Sequence, residues 1–142
     1  ETKKLLGGFD GAFQPACLTM SAHCNRVPVR DGHTECVSIR FASPATPQDA
    51  AAAMAAFRAR PQELELPSAP KRPVIVRSEP NRPQPNLDRD AENGMATTVG
   101  RVRECALLGT KFVLLGHNTI RGAAGASILN AELFKVEGLL PV

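Results

Sequence analysis

Two side chains with useful chemistry, Arg26 and His33, lie close together in one short stretch of the sequence. An arginine stays charged and presents a planar fork of donors that matches a carboxylate or a phosphate. A histidine titrates near neutral pH, so His33 can accept or release a proton under physiological conditions. The pair predicts a site that anchors an anion and moves a proton. The alternative interpretation is a solvated surface arginine and a histidine that belongs to a turn.

The stretch around this pair has the pattern of a loop between two strands. Residues 18–24 and residues 35–41 alternate apolar and polar side chains, which is typical of half-buried strands. A proline and an Asp-Gly pair lie between them and supply turn chemistry. We therefore expect Arg26 and His33 to lie at the two ends of one ordered loop.

Three separated stretches resemble the same enzyme family, in the same order along the chain. They are residues 24–38, residues 82–90 together with 94–95, and residues 111–126. The first is similar to the active-site segment of aspartate-β-semialdehyde dehydrogenases of the archaeal and fungal type. The last is similar to the closing strand and carboxy-terminal helix of the same family, so the resemblance covers essentially the whole chain.

The resemblance implies an activity and a role for three residues. Enzymes of this family use NADPH to reduce β-aspartyl phosphate to aspartate β-semialdehyde through a cysteine thioester, in the biosynthesis of threonine, methionine and isoleucine. By matched position, Arg26 would bind the substrate α-carboxylate, His33 would be the catalytic acid/base, and Asn118 would bind the cofactor near its nicotinamide amide. A thioester route needs a proton carrier at each of its two steps, which suits a histidine.

The sequence also departs from a complete enzyme of this family. It contains no Gly-x-Gly-x-x-Gly turn of a dinucleotide-binding domain, and none of its four cysteines follows an asparagine and precedes threonine or serine, as the family nucleophile does. We therefore expect residues 1–142 to be the dimerisation and catalytic domain of such an enzyme, without the nucleophile and without the amino-terminal dinucleotide-binding domain. The isolated chain is expected to be inactive and to bind NADP weakly.

The remaining strand patterns predict an α+β fold with a mixed or antiparallel sheet and helices on one face. Further strands are expected at residues 73–76, at an edge of the sheet, and at residues 97–103 and 106–115. The architecture resembles the carboxy-terminal domain of glyceraldehyde-3-phosphate dehydrogenase-like enzymes. The open face of such a sheet needs cover, and in the resembled family a second subunit supplies it, so a homodimer is expected.

Two helices are expected to pack on or beside this sheet. Residues 49–60 are rich in alanine, with Thr46 as a plausible cap, and residues 118–137 have apolar residues at helical spacing, with Asn118 as a cap. Two glycines in the second helix indicate a close approach of its backbone to a neighbour. In the resembled family this carboxy-terminal helix packs on the dinucleotide-binding domain.

Three shorter features complete the expected architecture. The first residues have the pattern of the last turns of a helix that stops at Gly7. Met54 and Phe57 are expected to anchor the core. The many prolines between residues 61 and 85 are expected to exclude regular helix there.

Composition argues against several other classes of protein. The net charge is only +3, the basic residues are dispersed, and aromatic residues make up 4% with no Trp or Tyr, so a nucleic-acid partner is not expected. No apolar run approaches the ~20 residues of a membrane span, and no signal peptide is recognised. The four cysteines have irregular spacing, which favours reduced thiols and a cytoplasmic location. A zinc site built from His23, Cys24 and Cys36 is weakly supported, and no metal is predicted.

Two other functions remain open at this point. The chain could belong to a related enzyme, such as an N-acetyl-glutamyl-phosphate reductase, which shares the nucleophile-plus-histidine chemistry. It could also be a non-catalytic dimerisation module that kept the fold.

Overall fold

The structure, a computed structural model, describes residues 2–20 and 25–139 of the 142-residue chain. The strands are β1 (Gly8–Phe9), β2 (Phe13–Gln14), β3 (His33–Ile39), β4 (Val74–Arg77), β5 (Thr97–Cys105) and β6 (Gly109–Gly116). The helices are α1 (Thr2–Leu5), α2 (Pro47–Ala56), α3 (Arg60–Glu63), α4 (Pro85–Asp88) and α5 (Gly125–Val136), and a π-helical turn, Ile120–Ala124, leads into α5. None of these helices is long and apolar enough to cross a membrane.

Strands β3 to β6 form one mixed sheet in the order β3-β6-β5-β4. Both β3 and β5 run antiparallel to β6, whereas β4 runs parallel to β5. The predicted mixed sheet is therefore confirmed, and β4 lies at its edge as expected. A separate small hairpin pairs β1 with β2.

Helix α2 begins with a capping box and packs on the sheet. The Thr46 hydroxyl accepts the Asp49 backbone N–H at 3.1 Å, and the Asp49 carboxylate accepts the Thr46 N–H at 2.9 Å. The helix contacts β4, β5 and β6, and its Ala50 is buried. The predicted cap is confirmed, but the helix ends at Ala56. The chain becomes extended at Phe57, whose side chain is 50% exposed, so the prediction that this residue anchors the core is wrong.

One cluster of the apolar core lies where α5 meets two loops. Its buried members are Leu66, Met95 and Leu129, and the partly buried residues packed around them are Leu64, Ala69, Ile120 and Leu133. A Cβ atom at Gly125 would clash with the Met95 sulfur, so the helix backbone approaches this loop closely, as the glycine pattern predicted. The carboxy-terminal helix is thus held partly by residues of this chain.

Two sequence-based expectations about local structure are wrong. Residues 18–20 form no strand, because alternation makes a strand only where another strand is available to pair with it, and residues 21–24 lie outside the described part. The proline-rich segment opens within a single-turn helix, α3, and another, α4, begins at its last residue, Pro85. Each has a proline in its first turn, where proline costs no backbone hydrogen bond.

Candidate functional site

The sheet register brings His33 next to the turn that precedes the π-helical segment. His33 is the first residue of β3, and its cross-strand partner is Gly116, the last residue of β6. The chain continues from Gly116 directly into His117 and Asn118. Two of the three predicted site residues, His33 and Asn118, therefore lie at the same end of the sheet. The imidazole of His33 is exposed, so it is available to a ligand.

A hydrogen bond between Gly32 and Asn118 joins these two segments. The Gly32 backbone N–H donates to Asn118 Oδ1 at 3.1 Å. Gly32 is buried, with a φ of +116°, and a Cβ there would lie 3.1 Å from Leu115 Cδ1. Glycine adopts this backbone conformation without strain, and any larger residue would also have to displace the Leu115 side chain. The residue immediately before His33 is thus held by backbone conformation, packing and a side-chain hydrogen bond.

Asn118 does not cap the following helix, contrary to the prediction. Its oxygen is engaged by the Gly32 N–H, and the helix start is served instead by the neighbouring His117. The His117 Nδ1 atom lies 3.3 Å from the backbone nitrogens of Thr119 and Ile120. The sequence did not indicate that His117, rather than Asn118, would accept these N–H groups, because asparagine is a common cap and histidine an uncommon one.

Arg26 lies in a stretch without regular structure, and its side chain is exposed. Within residues 2–20 and 25–139, Arg26 makes no side-chain hydrogen bond or ion pair with His33 or with any other residue. Its guanidinium is therefore free to bind an anion. The prediction that Arg26 and His33 act on one substrate remains a prediction.

An ion cluster around the buried Asp88 carboxylate, which was not predicted from the sequence, supports the segment that packs against Gly32. Asp88 is fully buried and binds the Arg82 guanidinium through both carboxylate oxygens, one of them at 2.7 Å from Nε. The same carboxylate accepts the Gln84 backbone N–H at 2.7 Å and lies 3.5 Å from Arg77 Nε. Burial opposes the charged form, but the Arg82 and Gln84 hydrogen bonds and the two guanidinium charges outweigh it and lower the pKa of Asp88.

This ion cluster fixes the segment that packs beneath Gly32. A Cβ built on Gly32 would lie 3.5 Å from Pro85 Cβ, and a Cβ on Gly100 of β5 would clash with the Arg82 carbonyl. The arginines, prolines and aspartates of residues 82–90 were the sequence feature that could have indicated this ion cluster. Sequence alone does not distinguish a buried ion pair from a solvated one, because both use the same residue types.

The thiols of the described sheet residues do not lie beside His33. Cys36 is three residues from His33 along β3, so its side chain points to the opposite face of the strand. Cys105 ends β5 and pairs with Gly109, at the far end of the sheet from Gly116. Cys17, Cys36 and Cys105 are free cysteines, and the described residues bring no three potential metal ligands together. The zinc site suggested with His23 and Cys24 involves residues outside the described part.

Comparison with known proteins agrees with this architecture. The family described as semialdehyde dehydrogenase, dimerisation domain, matches residues 1–121. This chain belongs to that semialdehyde dehydrogenase family. Its relatives include the aspartate-semialdehyde dehydrogenase of Methanothermobacter thermautotrophicus, 57% identical over 136 residues, which are 94% of this chain and 39% of the relative. The enzyme of the same name from Archaeoglobus fulgidus is 51% identical over 99% of this chain and 40% of the relative.

A solved structure supports the same assignment for the fold. The crystal structure of aspartate semialdehyde dehydrogenase with NADP from Candida albicans superposes on this chain with a TM-score of 0.88. The sequence identity is 46%, and the match covers 98% of this chain and 41% of the Candida chain. The chain therefore spans about two fifths of the length of the relatives that it matches. The expected α+β architecture is confirmed.

Proposed function

We propose that residues 1–142 are the dimerisation and catalytic domain of an aspartate-semialdehyde dehydrogenase. The complete enzyme reduces β-aspartyl phosphate to aspartate β-semialdehyde, and its expected location is the cytoplasm. The observation that carries the proposal is the 57% identity to the Methanothermobacter enzyme over 94% of this chain. The names of the relatives favour this substrate over that of an N-acetyl-glutamyl-phosphate reductase.

In this proposal His33 is the acid/base and Arg26 binds the substrate carboxylate. His33 is exposed at the end of the sheet, on a strand whose start is held by buried Gly32. A side chain that moves protons needs access to substrate and a fixed backbone, and this arrangement supplies both. Arg26 is exposed and unpaired within the described residues, so its donors are available for a bidentate contact with a carboxylate.

Asn118 fits the role of a contact to the NADP carboxamide. Its side-chain oxygen is occupied by the Gly32 N–H, which assigns that atom as the acceptor and leaves the Nδ2 donors without a partner in the described residues. A free pair of N–H donors matches the carbonyl oxygen of an amide. The bound cofactor would supply the hydride, and this chain would contribute the donor that orients the carboxamide.

The nucleophilic thiol is proposed to come from the part of the enzyme that precedes this chain. Cys36 faces away from His33, and Cys105 lies at the other end of the sheet. His33 would accept the proton of the incoming thiol and return a proton when the tetrahedral intermediates collapse. The isolated chain is therefore expected to be inactive.

The homodimer is proposed to form through the sheet face. The family description as a dimerisation domain supports self-association, and β3, an edge strand, has no buried residue. Sedimentation of the isolated chain at micromolar concentration tests this, and a dimer is the expected result. A monomer under these conditions would contradict the proposed interface.

The activity is tested in the full-length protein, with NADPH formation followed from aspartate β-semialdehyde, phosphate and NADP. Replacing His33→Ala is expected to lower kcat by about 100- to 10,000-fold, since general acid/base catalysis contributes that much. Replacing Arg26→Leu is expected to raise KM for the semialdehyde by about 10- to 100-fold, because a charge-assisted hydrogen bond is lost.

Arg30→Leu is the matched control for the second variant. Arg30 is another exposed arginine in the same irregular stretch, without a hydrogen bond or ion pair in the described residues. Its replacement should leave kcat and KM near the wild-type values. Absence of reductase activity in the wild-type protein would contradict the proposed function. Equal effects of the Arg26 and Arg30 replacements would contradict the proposed role of Arg26 in substrate binding.

A further inference from the structure

The buried ring of His117 holds together the turn at the end of β6. His117 is 7% exposed, and its Nδ1 atom lies 3.3 Å from the backbone nitrogens of both Thr119 and Ile120. Both partners are backbone N–H donors, so Nδ1 must be the unprotonated nitrogen that accepts. The first N–H groups of a helical segment have no partner within it, and His117 supplies that missing acceptor. Its own carbonyl also accepts the Gly122 N–H at 2.9 Å.

The position of this ring is determined by packing. A Cβ placed on Gly94 would lie 3.2 Å from His117 Cδ2, and Gly94 has a φ of +79°. The other ring nitrogen, Nε2, lies 3.8 Å from the largely exposed Asp90 carboxylate, beyond hydrogen-bond distance. The close contact with the glycine and the two accepted hydrogen bonds therefore define the orientation of the imidazole.

The turn that His117 holds also carries Asn118. Along the chain, Asn118 lies between His117 and the two residues whose N–H groups the ring accepts, and its side-chain oxygen accepts the Gly32 N–H at 3.1 Å. Gly32 directly precedes His33 in the chain. A continuous series of contacts therefore runs from the His117 ring, through the backbone of the turn, to the start of β3.

We propose that His117 is a positioning residue for His33, which it influences through Asn118 and Gly32. The proposal rests on the function proposed above, in which His33 moves the proton. Without an acceptor at residue 117, the turn is no longer fixed, Asn118 moves away from Gly32, and the His33 ring is displaced from its working position. Displacements of about 1 Å are enough to reduce turnover about 100-fold.

Three variants in the full-length protein test the role of the acceptor. His117→Asn places an amide oxygen near the position of Nδ1, whereas His117→Gln places it near the position of Nε2, and His117→Leu removes it. The Gln and Leu variants are expected to lower kcat by about 10- to 100-fold, with KM for the semialdehyde changed less than about 3-fold, because Arg26 lies in another segment. The Asn variant should recover most of the lost kcat.

Hydrogen exchange of the backbone amides provides a readout that does not depend on activity. In the Gln and Leu variants, exchange at Gly32, Thr119 and Ile120 should become faster than in the wild type, while the Asn variant should retain protection. If the wild type lacks reductase activity, the proposed function fails, but exchange still decides whether His117 holds the turn. Should the Leu variant fail to fold, the Asn and Gln variants remain comparable with each other. Equal kcat in those two variants, or unchanged protection at Gly32 in the Gln variant, would overturn the proposal.

Discussion

Residues 94–100 and residues 2–49 differ sharply in how they are packed. In the first segment every residue except Thr97 is buried, whereas among the described residues of the second only Gly32 is buried. The second segment also exposes large apolar side chains, among them Leu5, Leu6, Phe9, Phe13 and Val27. Exposed apolar side chains in such number are typical of surfaces that another chain or domain covers. Residues 94–100 are thus covered by other residues of this chain, whereas residues 2–49, which include Arg26 and His33, are mostly exposed.

Gly32 is where the two regions meet. It belongs to the exposed segment, yet it is buried against Leu115 and its backbone N–H donates a hydrogen bond to Asn118 Oδ1. His33 is therefore linked to the packed region through Gly32, whereas Arg26 makes no side-chain hydrogen bond or ion pair within the described residues. Arg26 and His33 therefore differ in structural support. Three experiments test this difference, from the largest expected effect to the smallest.

The largest effect is expected from breaking the buried ion cluster. Asp88→Asn should lower the free energy of unfolding of the chain by about 3 to 5 kcal/mol, because it removes the buried carboxylate and leaves the partly buried Arg82 guanidinium without its counter-charge. Urea denaturation would measure this loss. Asp10→Asn, at an exposed position, should change stability by less than about 0.5 kcal/mol. Similar losses for the two variants would mean that the packed region does not depend on this cluster.

A smaller effect is expected where the two regions meet. Gly32→Ala should cost about 1 to 3 kcal/mol, since alanine is strained at this φ and its methyl group would press on Leu115. Thermal denaturation would report the change. Gly109→Ala is the control, because Gly109 also has positive φ, +92°, but a Cβ there meets nothing within 4 Å. A loss at residue 32 no greater than at residue 109 would argue against the packing contribution.

The smallest effect is expected from acid titration of Asp88. Its pKa in the folded chain is below the ordinary value of 3.8, so its contribution to stability is complete above pH 3.8 and is lost as the pH falls through the lower folded pKa. For this one group the slope is at most about 1.4 kcal/mol per pH unit. Unfolding of the wild type and the Asp88→Asn variant between pH 5 and pH 2.5 would show it. Parallel curves for the two proteins would contradict the lowered pKa.

Much of the fold was predictable from local patterns. The cap at Thr46, the strand at residues 73–76 and the β5–β6 hairpin follow from capping chemistry, alternation and turn residues that act over a few positions. The strand expected at residues 18–24 was wrong in its described part, because pairing depends on distant residues. The same limit explains why the Asp88 cluster was missed, since burial is a property of the whole fold.

The sequence by itself determined which residues are proposed for the site, Arg26, His33 and Asn118, and the family to which their motifs belong. Only the tertiary structure decided that Asn118 bonds to Gly32 and that His117 replaces it as the helix cap. The physical reason is that a side-chain oxygen has a limited capacity to accept hydrogen bonds. Which donor reaches it depends on how β3 and β6 align, and that register brings together residues more than 80 positions apart.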